Sequence, residues 1–273
     1  MFSYSLAEPL VQMKDVQLTL GGRLILENIT ATIRDIRRPG MQQGQVVAFL
    51  GPSGVGKSQT FWILAGLSQP DKGEVLVGNP PAPVQGGQVG VVTQHYTLFE
   101  HRTVLGNLRV AAKQKGIPSD AARKQALELL RKFGLADRAG AWPKELSGGQ
   151  RQRVAIAQQL LCSDIFLLMD EPFSGLDPVM KTRVCELINE IASMDEMRTL
   201  IVVTHDVRAA LSIADHVWLI GRDRGPQGEV LSGAKIKEEI DLKERGIAWR
   251  ENRESLPQYE ETVREIEKRF LTL

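Results

Sequence analysis

The stretch GPSGVGKS, residues 51–58, decides the fold of this chain. It follows the apolar run VVAFL (46–50), which is typical of a buried strand, and it opens an apolar helix that we expect to extend to Leu67. A glycine-rich loop in this position, with the pattern G-x-x-x-x-G-K-[ST], cradles phosphate groups with its backbone N–H groups. Gly54 and Gly56 permit backbone angles that a side chain would forbid. The sequence therefore predicts a phosphate-binding loop between a strand and a helix.

The side chains of this loop have distinct expected roles. Lys57 is expected to place its charge at the β- and γ-phosphates, and Ser58 to offer its hydroxyl to Mg²⁺. The residues expected to bind the nucleotide here are Gly51, Pro52, Ser53, Gly54, Val55, Gly56, Lys57, Ser58 and Gln59. The loop alone does not select a reaction, because guanylate kinases carry a nearly identical string. GTPases would need Asn-Lys-x-Asp to read the base, and the chain has no such tetrapeptide.

Two carboxylates follow the apolar run IFLLM (165–169), which we expect to be another strand. A strand that ends beside the phosphate loop delivers both acids to that loop. Asp170 can hold Mg²⁺ through water, and Glu171 can orient and deprotonate an attacking water molecule. Attack by water predicts hydrolysis of the nucleotide rather than transfer of its phosphoryl group.

The composition limits the classes of protein to which the chain can belong. It has 273 residues, enough for a large core, and its 34 Lys and Arg nearly balance its 33 Asp and Glu, which argues against a protein that coats nucleic acid. The isolated Cys162 and Cys185 are too few for a disulfide framework or a metal site. Because we find no secretory signal and no apolar run near ~18 residues, we expect a soluble chain or one held at a membrane by partners.

The stretch LSGGQRQRVAIAQQ, residues 146–159, predicts a second anion site. Ser147 can cap a helix that begins at two glycines, and the bare N–H groups of a helix start attract anions. With this segment the chain resembles the ATP-binding cassette (ABC) family, whose signature is LSGGQ, over about residues 10–220. In that family two cassettes pair head to tail, and each signature helix covers the γ-phosphate held by the other cassette. The resemblance implies this role for Ser147, Gly148, Gly149 and Gln150.

Three further residues match the family's motifs in the family's order. The resemblance implies that Gln94, which ends VVTQ, contacts Mg²⁺ and water and reports to the partner subunit. It implies that Asp177, in SGLD (174–177), is the acid of a loop that crosses the dimer interface, and that His205 contacts the γ-phosphate. The expected catalytic residues are Lys57, Glu171 and His205, and the expected metal ligands are Ser58, Gln94 and Asp170.

Strands that alternate with helices along the chain predict an α/β sheet. The resemblance implies a P-loop NTPase (RecA-like) core with an antiparallel β subdomain and an inserted small α-helical subdomain. We expect the ATPase domain to span residues 1–221, with the helical subdomain at about 100–160. A charged C-terminal extension is expected to span residues 222–273.

Two helices outside the core have clear signals in the sequence. SDAARKQALELLRKFGL (119–135) has apolar residues at helical spacing, with Ser119 or Asp120 as a candidate cap and Gly134 as a candidate end. In the extension, a similar spacing predicts a short amphipathic helix, which we expect to dock on the sheet domain rather than to form a dedicated partner surface. Its apolar residues are Tyr259, Val263, Ile266 and Phe270.

Three places depart from the family's pattern. Leu20 stands where the family has an aromatic residue that stacks on adenine, so the base should be held more weakly, by ~1 kcal/mol, or from elsewhere. Gln59 replaces a hydroxyl residue that binds the α-phosphate. The stretch RDIRRPGMQQGQ (34–45) is longer than the usual turn, and we expect its three arginines to lie in a solvated loop.

The resemblance implies an ATPase subunit that powers a transporter through ATP-driven dimerisation, with import of a small polar or anionic solute. HYTLFEHRTVLGNL (95–108) is similar to the stretch of bacterial importer cassettes that receives the coupling helix of a membrane subunit. Tyr96, Leu98 and Phe99 can line that groove or belong to the core of the helical subdomain. The tail is loosely similar to cassettes of the nitrate, sulfonate and taurine importers.

The expected ligands are ATP and Mg²⁺. The expected partners are a second ABC subunit, permease subunits and a solute-binding protein, with no nucleic acid, at the cytoplasmic face of the inner membrane. An exporter, a lipid or efflux system, and a soluble ABC ATPase stay open as alternatives. The segment between Gln94 and Leu146 is too short for the coiled coil of the DNA-repair members, and translation-factor members carry two cassettes in one chain.

Overall fold

A computed structural model describes residues 4–38, 44–163, 166–195 and 198–273. The strands are β1 (Ser5–Leu20), β2 (Arg23–Arg37), β3 (Gln45–Leu50), β4 (Lys72–Val77), β5 (Ala82–Pro83), β6 (Gly90–Val92), β7 (Phe166–Asp170), β8 (Thr199–Thr204), β9 (His216–Arg224) and β10 (Val230–Asp241). The α-helices are α1 (Lys57–Leu64), α2 (Val104–Gln114), α3 (Ser119–Lys132), α4 (Gly148–Cys162), α5 (Pro178–Ala192), α6 (Val207–Ile213) and α7 (Pro257–Phe270). Residues 39–43, predicted as loop, and Ile165, predicted as the start of a strand, lie outside the described residues. Each described helix falls short of the length and apolar character that a membrane crossing requires.

The strands of the described residues form one sheet, in the order β5-β4-β1-β2-β10-β9-β3-β8-β7-β6. Strands β9, β3, β8, β7 and β6 pair in parallel, whereas β1, β2, β4 and β5 pair antiparallel. Ligands of open α/β sheets bind outside the carboxyl ends of parallel strands. The segments after β3, β7 and β8 meet at that edge, and the predicted α/β class with an antiparallel β part is confirmed.

Strand β3 is apolar throughout because both faces of the parallel part are covered. Val47 and Phe49 pack in one cluster with residues of α1 and of the antiparallel strands. Ala48 and Leu50 point to the other face, where they pack with α6 and α7. These four side chains are at most 2% exposed. Burial on both faces is typical of parallel sheets and explains why the run reads as continuous rather than alternating.

Two helices differ in detail from their predictions. Helix α1 ends before Leu67, because Gly66 has φ +69°, a left-handed conformation that ends helices. Helix α3 begins where predicted, but neither Ser119 nor Asp120 caps it, because the preceding proline occupies the cap position. Gly134 follows the last turn of α3 with φ +64°, which confirms its predicted role as the end of the helix.

The arginines of the stretch 34–45 do not lie in a solvated loop. Strand β2 includes Arg34 and Arg37. Arg38 is buried, and its guanidinium lies 4.7 Å from the centre of the Trp249 ring in the C-terminal extension. The prediction was wrong because a cation–π contact with a distant residue covers this arginine.

The C-terminal extension contributes a strand to the same sheet. Strand β10 lies between β2 and β9 and pairs antiparallel with β9 along most of its length. Position 221, the predicted end of the ATPase domain, lies within β9. The division into residues 1–221 and 222–273 stays a prediction.

Helix α7 docks on the sheet, as its amphipathic pattern predicts. Tyr259, Val263 and Ile266 are 2%, 0% and 0% exposed and pack with α6 and β3. Phe270 is partly buried against the same cluster. The apolar face of the tail helix therefore closes one side of the core.

The tail also holds the short helix α6 through buried polar contacts. Nη1 of Arg253, a side chain only 7% exposed, donates hydrogen bonds of 3.2 and 2.8 Å to the carbonyl oxygens of Leu211 and Ala214. Asp215 accepts a 2.9 Å hydrogen bond from the N–H of Val46. Burial raises the pKa of Asp215 and lowers the pKa of Arg253, and the opposite charges partly offset these shifts.

We expect Arg253→Met to lower the free energy of unfolding by about 3 kcal/mol, because it removes the cation with the largest effect on the buried carboxylate of Asp215 and leaves two carbonyl groups without their donor. Urea unfolding followed by circular dichroism measures this loss. Arg264→Ala, on the exposed face of α7, is the control and should change the free energy by less than about 0.5 kcal/mol. Equal losses in the two variants would contradict the assigned role of Arg253.

Candidate nucleotide-binding site

The loop 51–58 has the shape that phosphate binding requires. Gly54 and Gly56 have φ angles of +75° and +122°, which favour glycine, and α1 begins directly after Gly56. A Cβ atom at Gly51 would lie 2.3 Å from the carbonyl oxygen of Ile220 in β9, so the backbones approach too closely for a side chain. The loop therefore brings the N-terminus of α1, with its N–H groups, to the carboxyl edge of the sheet.

Lys57 is turned into this loop. Its Nζ donates hydrogen bonds of 2.8 and 2.9 Å to the carbonyl oxygens of Gly51 and Pro52, and it lies 3.6 Å from Oε1 of Glu171. Burial lowers the pKa of Lys57, and the nearby charge of Glu171 raises it. Lys57 thus supplies a buried positive charge at the loop, as the motif predicts.

Glu171 connects the phosphate loop to the end of β8. Its Oε2 lies 2.9 Å from Nδ1 of His205 and accepts a 3.2 Å hydrogen bond from Oγ1 of Thr204. The backbone of Glu171 has φ +48°, which costs about 1–3 kcal/mol in a residue with a side chain. A 2.8 Å hydrogen bond from its N–H to the carbonyl of Val203 helps to hold this conformation. The carboxylate is thereby placed between Lys57 and His205.

Asp170 has a carboxylate oxygen that no group of the described residues satisfies. Its Oδ1 is buried and has no hydrogen-bond partner among the described residues. Burial, and then the charge of Glu171, raise the pKa of Asp170, while the hydroxyl of Ser58 and the ammonium of Lys57 lower it. The described part of the chain has no cluster of three His, Cys, Asp or Glu side chains that could hold a metal. A hard cation here would take Asp170, Ser58 and phosphate oxygens, a set of ligands that suits Mg²⁺.

The segment after β6 contacts the turn that follows Glu171. Nε2 of Gln94 donates a 3.1 Å hydrogen bond to Oγ of Ser174, and the hydroxyl of Tyr96 donates a 3.2 Å hydrogen bond to the carbonyl of Pro172. The side chain of Gln94 is otherwise exposed. These contacts connect the position of Glu171 to the segment that contains Gln94.

The signature segment 146–150 lies apart from the loop 51–58. Ser147 caps α4 as predicted: its Oγ accepts a 3.3 Å hydrogen bond from the N–H of Gln150, and Oε1 of Gln150 accepts one of 2.9 Å from the N–H of Ser147. A Cβ at Gly148 would have no atom within 4 Å, so the tip of the helix is open. Within the described ranges, no hydrogen bond or ion pair joins this segment to the loop.

Asp177 lies at the start of α5, next to the signature helix. Its Oδ1 caps α5 by accepting a 3.0 Å hydrogen bond from the N–H of Met180. A Cβ at Gly149 would lie 3.3 Å from the side chain of Met180, so the starts of α4 and α5 are neighbours. Farther along α5, Nζ of Lys181 lies 2.6 Å from the carboxylate of Asp206, the cap of α6.

The remaining predicted contacts of the phosphate loop differ in accessibility. Ser53, Gly54 and Ser58 are exposed, Pro52, Gly56 and Gln59 are half-buried, and Gly51 and Val55 are buried. Leu20, in the place of the missing aromatic residue, is 45% exposed. The contacts of Glu171 with Lys57 and His205 bring the loop, the two acids and His205 together. The signature segment lies outside this group.

Two residues that the sequence analysis missed belong to the site. Thr204 donates to Glu171, and its place at the end of β8, directly before His205, is a signal that could have identified it. Nη2 of Arg222, in β9, donates a 2.9 Å hydrogen bond to the carbonyl of Gly54. Arg222 and Gly54 are 168 positions apart, so no local pattern indicates their contact.

The phosphate loop, the two acids and the parallel sheet define a P-loop nucleotide-binding protein. Residues 39–174 match the ABC transporter family. The chain belongs to this family, whose ATP-binding domains hydrolyse ATP.

Two curated relatives and one solved structure illustrate this membership. The aliphatic sulfonates import ATP-binding protein SsuB 1 of Rhodococcus jostii is 41% identical over 181 residues, which cover 66% of this chain and 69% of that protein. The Fe(3+) ions import ATP-binding protein FbpC of Agrobacterium fabrum is 36% identical over 231 residues, which cover 84% of this chain and 62% of that protein. The structure of cbiO1 from Clostridium perfringens, part of the ABC transporter complex cbiONQ, has the same fold, with a TM-score of 0.72 at 24% identity over 96% of both chains.

We expect Asp170→Asn to raise the melting temperature of the nucleotide-free protein by about 2–4 °C, because it removes a buried charge with an unsatisfied oxygen that also repels Glu171. The raised pKa of Asp170 means that its charge costs stability above the ordinary pKa of an aspartate. The gain should therefore be present at pH 7 and shrink as the pH falls towards ~4.

Differential scanning fluorimetry across this pH range measures the gain. Asp137→Asn is the control, since the Asp137 side chain is 70% exposed and should leave the melting temperature unchanged. A lower melting temperature for Asp170→Asn at pH 7 would show that the buried carboxylate stabilises the nucleotide-free chain.

Proposed function

We propose that the chain is the ATP-hydrolysing subunit of an importer for a small polar or anionic solute. It works as a head-to-tail dimer at the cytoplasmic face of the inner membrane, bound to permease subunits that receive the solute from a solute-binding protein. The two relatives are named as import subunits for aliphatic sulfonates and for Fe(3+) ions, which supports import and leaves the solute open. The observation that carries the proposal is the open tip of α4 at Gly148, apart from the phosphate loop of the same chain.

The separation of two candidate anion sites supports the dimer. The N–H groups at the tip of α4 would cover the γ-phosphate that the loop 51–58 of a partner chain binds. ATP then favours the closed dimer, and reversing a 1:99 population takes about 5.5 kcal/mol of such preference, shared by two nucleotides in a two-fold interface. Hydrolysis removes the γ-phosphate contact and lets the dimer reopen. The residues of the tip are Ser147, Gly148, Gly149 and Gln150, with Asp177 beside them.

Within each site the side chains divide the work. When ATP binds, Nζ of Lys57 leaves the carbonyl oxygens of Gly51 and Pro52 and contacts the β- and γ-phosphates. Glu171, held between Lys57 and His205, orients and deprotonates the attacking water. His205 contacts the γ-phosphate. Mg²⁺ supplies charge neutralisation of the phosphate oxygens when it is bound, and its expected protein ligands are Ser58, Asp170 and Gln94.

A cavity of about 700 Å³ between α2 and α3 supports docking of a membrane subunit. Its lining combines the buried or half-buried Gly106, Val110, Ile117 and Ala122 with the exposed Arg102, Arg109, Lys113 and Ser119. Its lining contains three cations and no carboxylate. The cavity suits a helix with an apolar face and acidic side chains beside it.

The three residues predicted to line a coupling groove differ in their exposure. Phe99 is 42% exposed and is available to a partner. Leu98 is 7% exposed and packs in a core cluster with residues of α2, α4 and the sheet, so it cannot be a major contact. Tyr96 is half-buried, with its hydroxyl bound to Pro172. Phe99 and the basic cavity therefore carry this part of the proposal.

Mixing two inactive variants tests the head-to-tail dimer. Lys57→Ala removes the phosphate loop's charge, and Gly148→Asp places a carboxylate at the tip of α4, where a Cβ has free space. We expect each variant alone to be nearly inactive. An equal mixture should recover roughly a quarter of the wild-type ATPase rate, because half of the dimers hold one complete site.

The control for this experiment is Gly140→Asp, which also places a carboxylate where a Cβ has free space, and which should stay active. A mixture as inactive as its parents, at concentrations where the wild type is fully active, would overturn the arrangement in trans.

Charge reversal tests the docking cavity. We expect Arg102→Glu, Arg109→Glu and Lys113→Glu together to reduce the permease that co-purifies with the tagged chain about tenfold, since they reverse the charge that attracts an acidic helix. Lys124→Glu with Arg131→Glu, on another part of α3, is the control and should leave co-purification unchanged. Equal losses in both sets would assign the effect to net charge and not to this cavity.

A further inference from the structure

Two cationic side chains donate hydrogen bonds to four carbonyl groups of the phosphate loop. Lys57 binds the carbonyls of Gly51 and Pro52 at the beginning of the loop. Nη2 of Arg222 donates to the carbonyls of Gly54 and Val55, at 2.9 and 3.4 Å, in the middle of the loop.

Arg222 approaches the loop from a fixed position in the sheet. Its backbone pairs with Ala234 of β10, and Ala234 pairs with Leu26 of β2. A Cβ at Gly56 would lie 3.0 Å from Cδ2 of Leu26. Leu26 is thus in the same row of paired residues as Arg222, and it packs against the last glycine of the loop. Nε of Arg222 is buried without a hydrogen-bond partner among the described residues, whereas the hydrogen bond from Nη2 to Gly54 lies at the surface.

The direction of these carbonyl groups controls the direction of the N–H groups. Each peptide plane has its carbonyl and its N–H on opposite sides, so a carbonyl held outward keeps the next N–H inward, towards the phosphates. Lys57 leaves its carbonyls when it turns to the phosphates, whereas Arg222 has no such second role. Arg222 is therefore the cation that keeps the loop in shape while nucleotide is bound.

We propose that Arg222 is a positioning residue for the phosphates of the nucleotide, and that it acts through the backbone of Gly54 and Val55. The inference rests on the proposed role of residues 51–58 as the phosphate-binding loop. It assigns a function in nucleotide binding to a residue of the predicted C-terminal extension, more than 160 positions away along the chain.

The test measures the dissociation constant of a fluorescent ADP analogue with Mg²⁺ on the full chain, because ADP has the β-phosphate and needs no γ-phosphate contact from a partner. We expect Arg222→Met to weaken binding about tenfold, and Arg222→Lys, which can hold one carbonyl, about threefold. At saturating ATP the rate of hydrolysis per site should fall by a smaller factor than the affinity does, since Arg222 acts on the loop and does not touch the reacting atoms.

Arg224→Met is the matched control. It lies two residues along β9, donates to the carbonyls of Leu271 and Thr272 instead of the loop, and should bind ADP as the wild type does. Melting temperatures of all variants show whether the fold is kept. Lys57→Ala tests the loop itself and should lose most of the binding.

The outcomes separate the two claims. If Lys57→Ala loses binding while Arg222→Met binds ADP as the wild type does, the loop is correct and the role of Arg222 is wrong. Equal weakening in Arg222→Met and Arg224→Met would also overturn the inference, because the effect would belong to β9 as a whole. Normal binding by Lys57→Ala would remove the role of the loop, and the inference with it.

Discussion

The backbone between β3 and α1 has to point its N–H groups towards a ligand and its carbonyl groups away from it, within one tight turn. Glycine provides the necessary angles, but it does not by itself select this shape among others. The shape is held by contacts with neighbours: Gly51 lies against the carbonyl of Ile220, and Lys57 binds two loop carbonyls. The two parallel strands on one side of β3, first β8 and then β7, bring His205 and the two acids to the same edge.

The same edge carries charges that are poorly compensated without nucleotide. Burial raises the pKa of Asp170 and lowers the pKa of Lys57, so the charged form of each group is less stable here than it would be in water. Glu171 faces Lys57 on one side and His205 on the other in a strained backbone conformation. A triphosphate and a cation would supply the missing partners. These charged positions lower the stability of the folded protein, because binding requires charge there.

The features that sequence could predict are local. A strand, six loop residues and a helix are consecutive, the cap at Ser147 depends on Gln150 three positions away, and Asp170 ends a strand whereas His205 directly follows one. The features that it missed depend on distant contacts. Arg38 is buried under Trp249, and Arg222 reaches the phosphate loop across the sheet. Strand β10 was missed because most of its side chains are exposed or half-buried, so its sequence lacks the alternation of a half-buried strand. The roles of the site residues stay predictions.

Strand β10 lies between β2 and β9 and is the hydrogen-bonded link between the antiparallel and the parallel parts of the described sheet. It also leaves the ribosome after the other nine strands of the described residues. Strands β1 and β2 are therefore synthesised long before β10. Until β10 is made, the edge of β2 is unpaired. Such an edge can pair with the wrong chain, and the charged side chains along β2, five in its fifteen residues, offer protection during that delay.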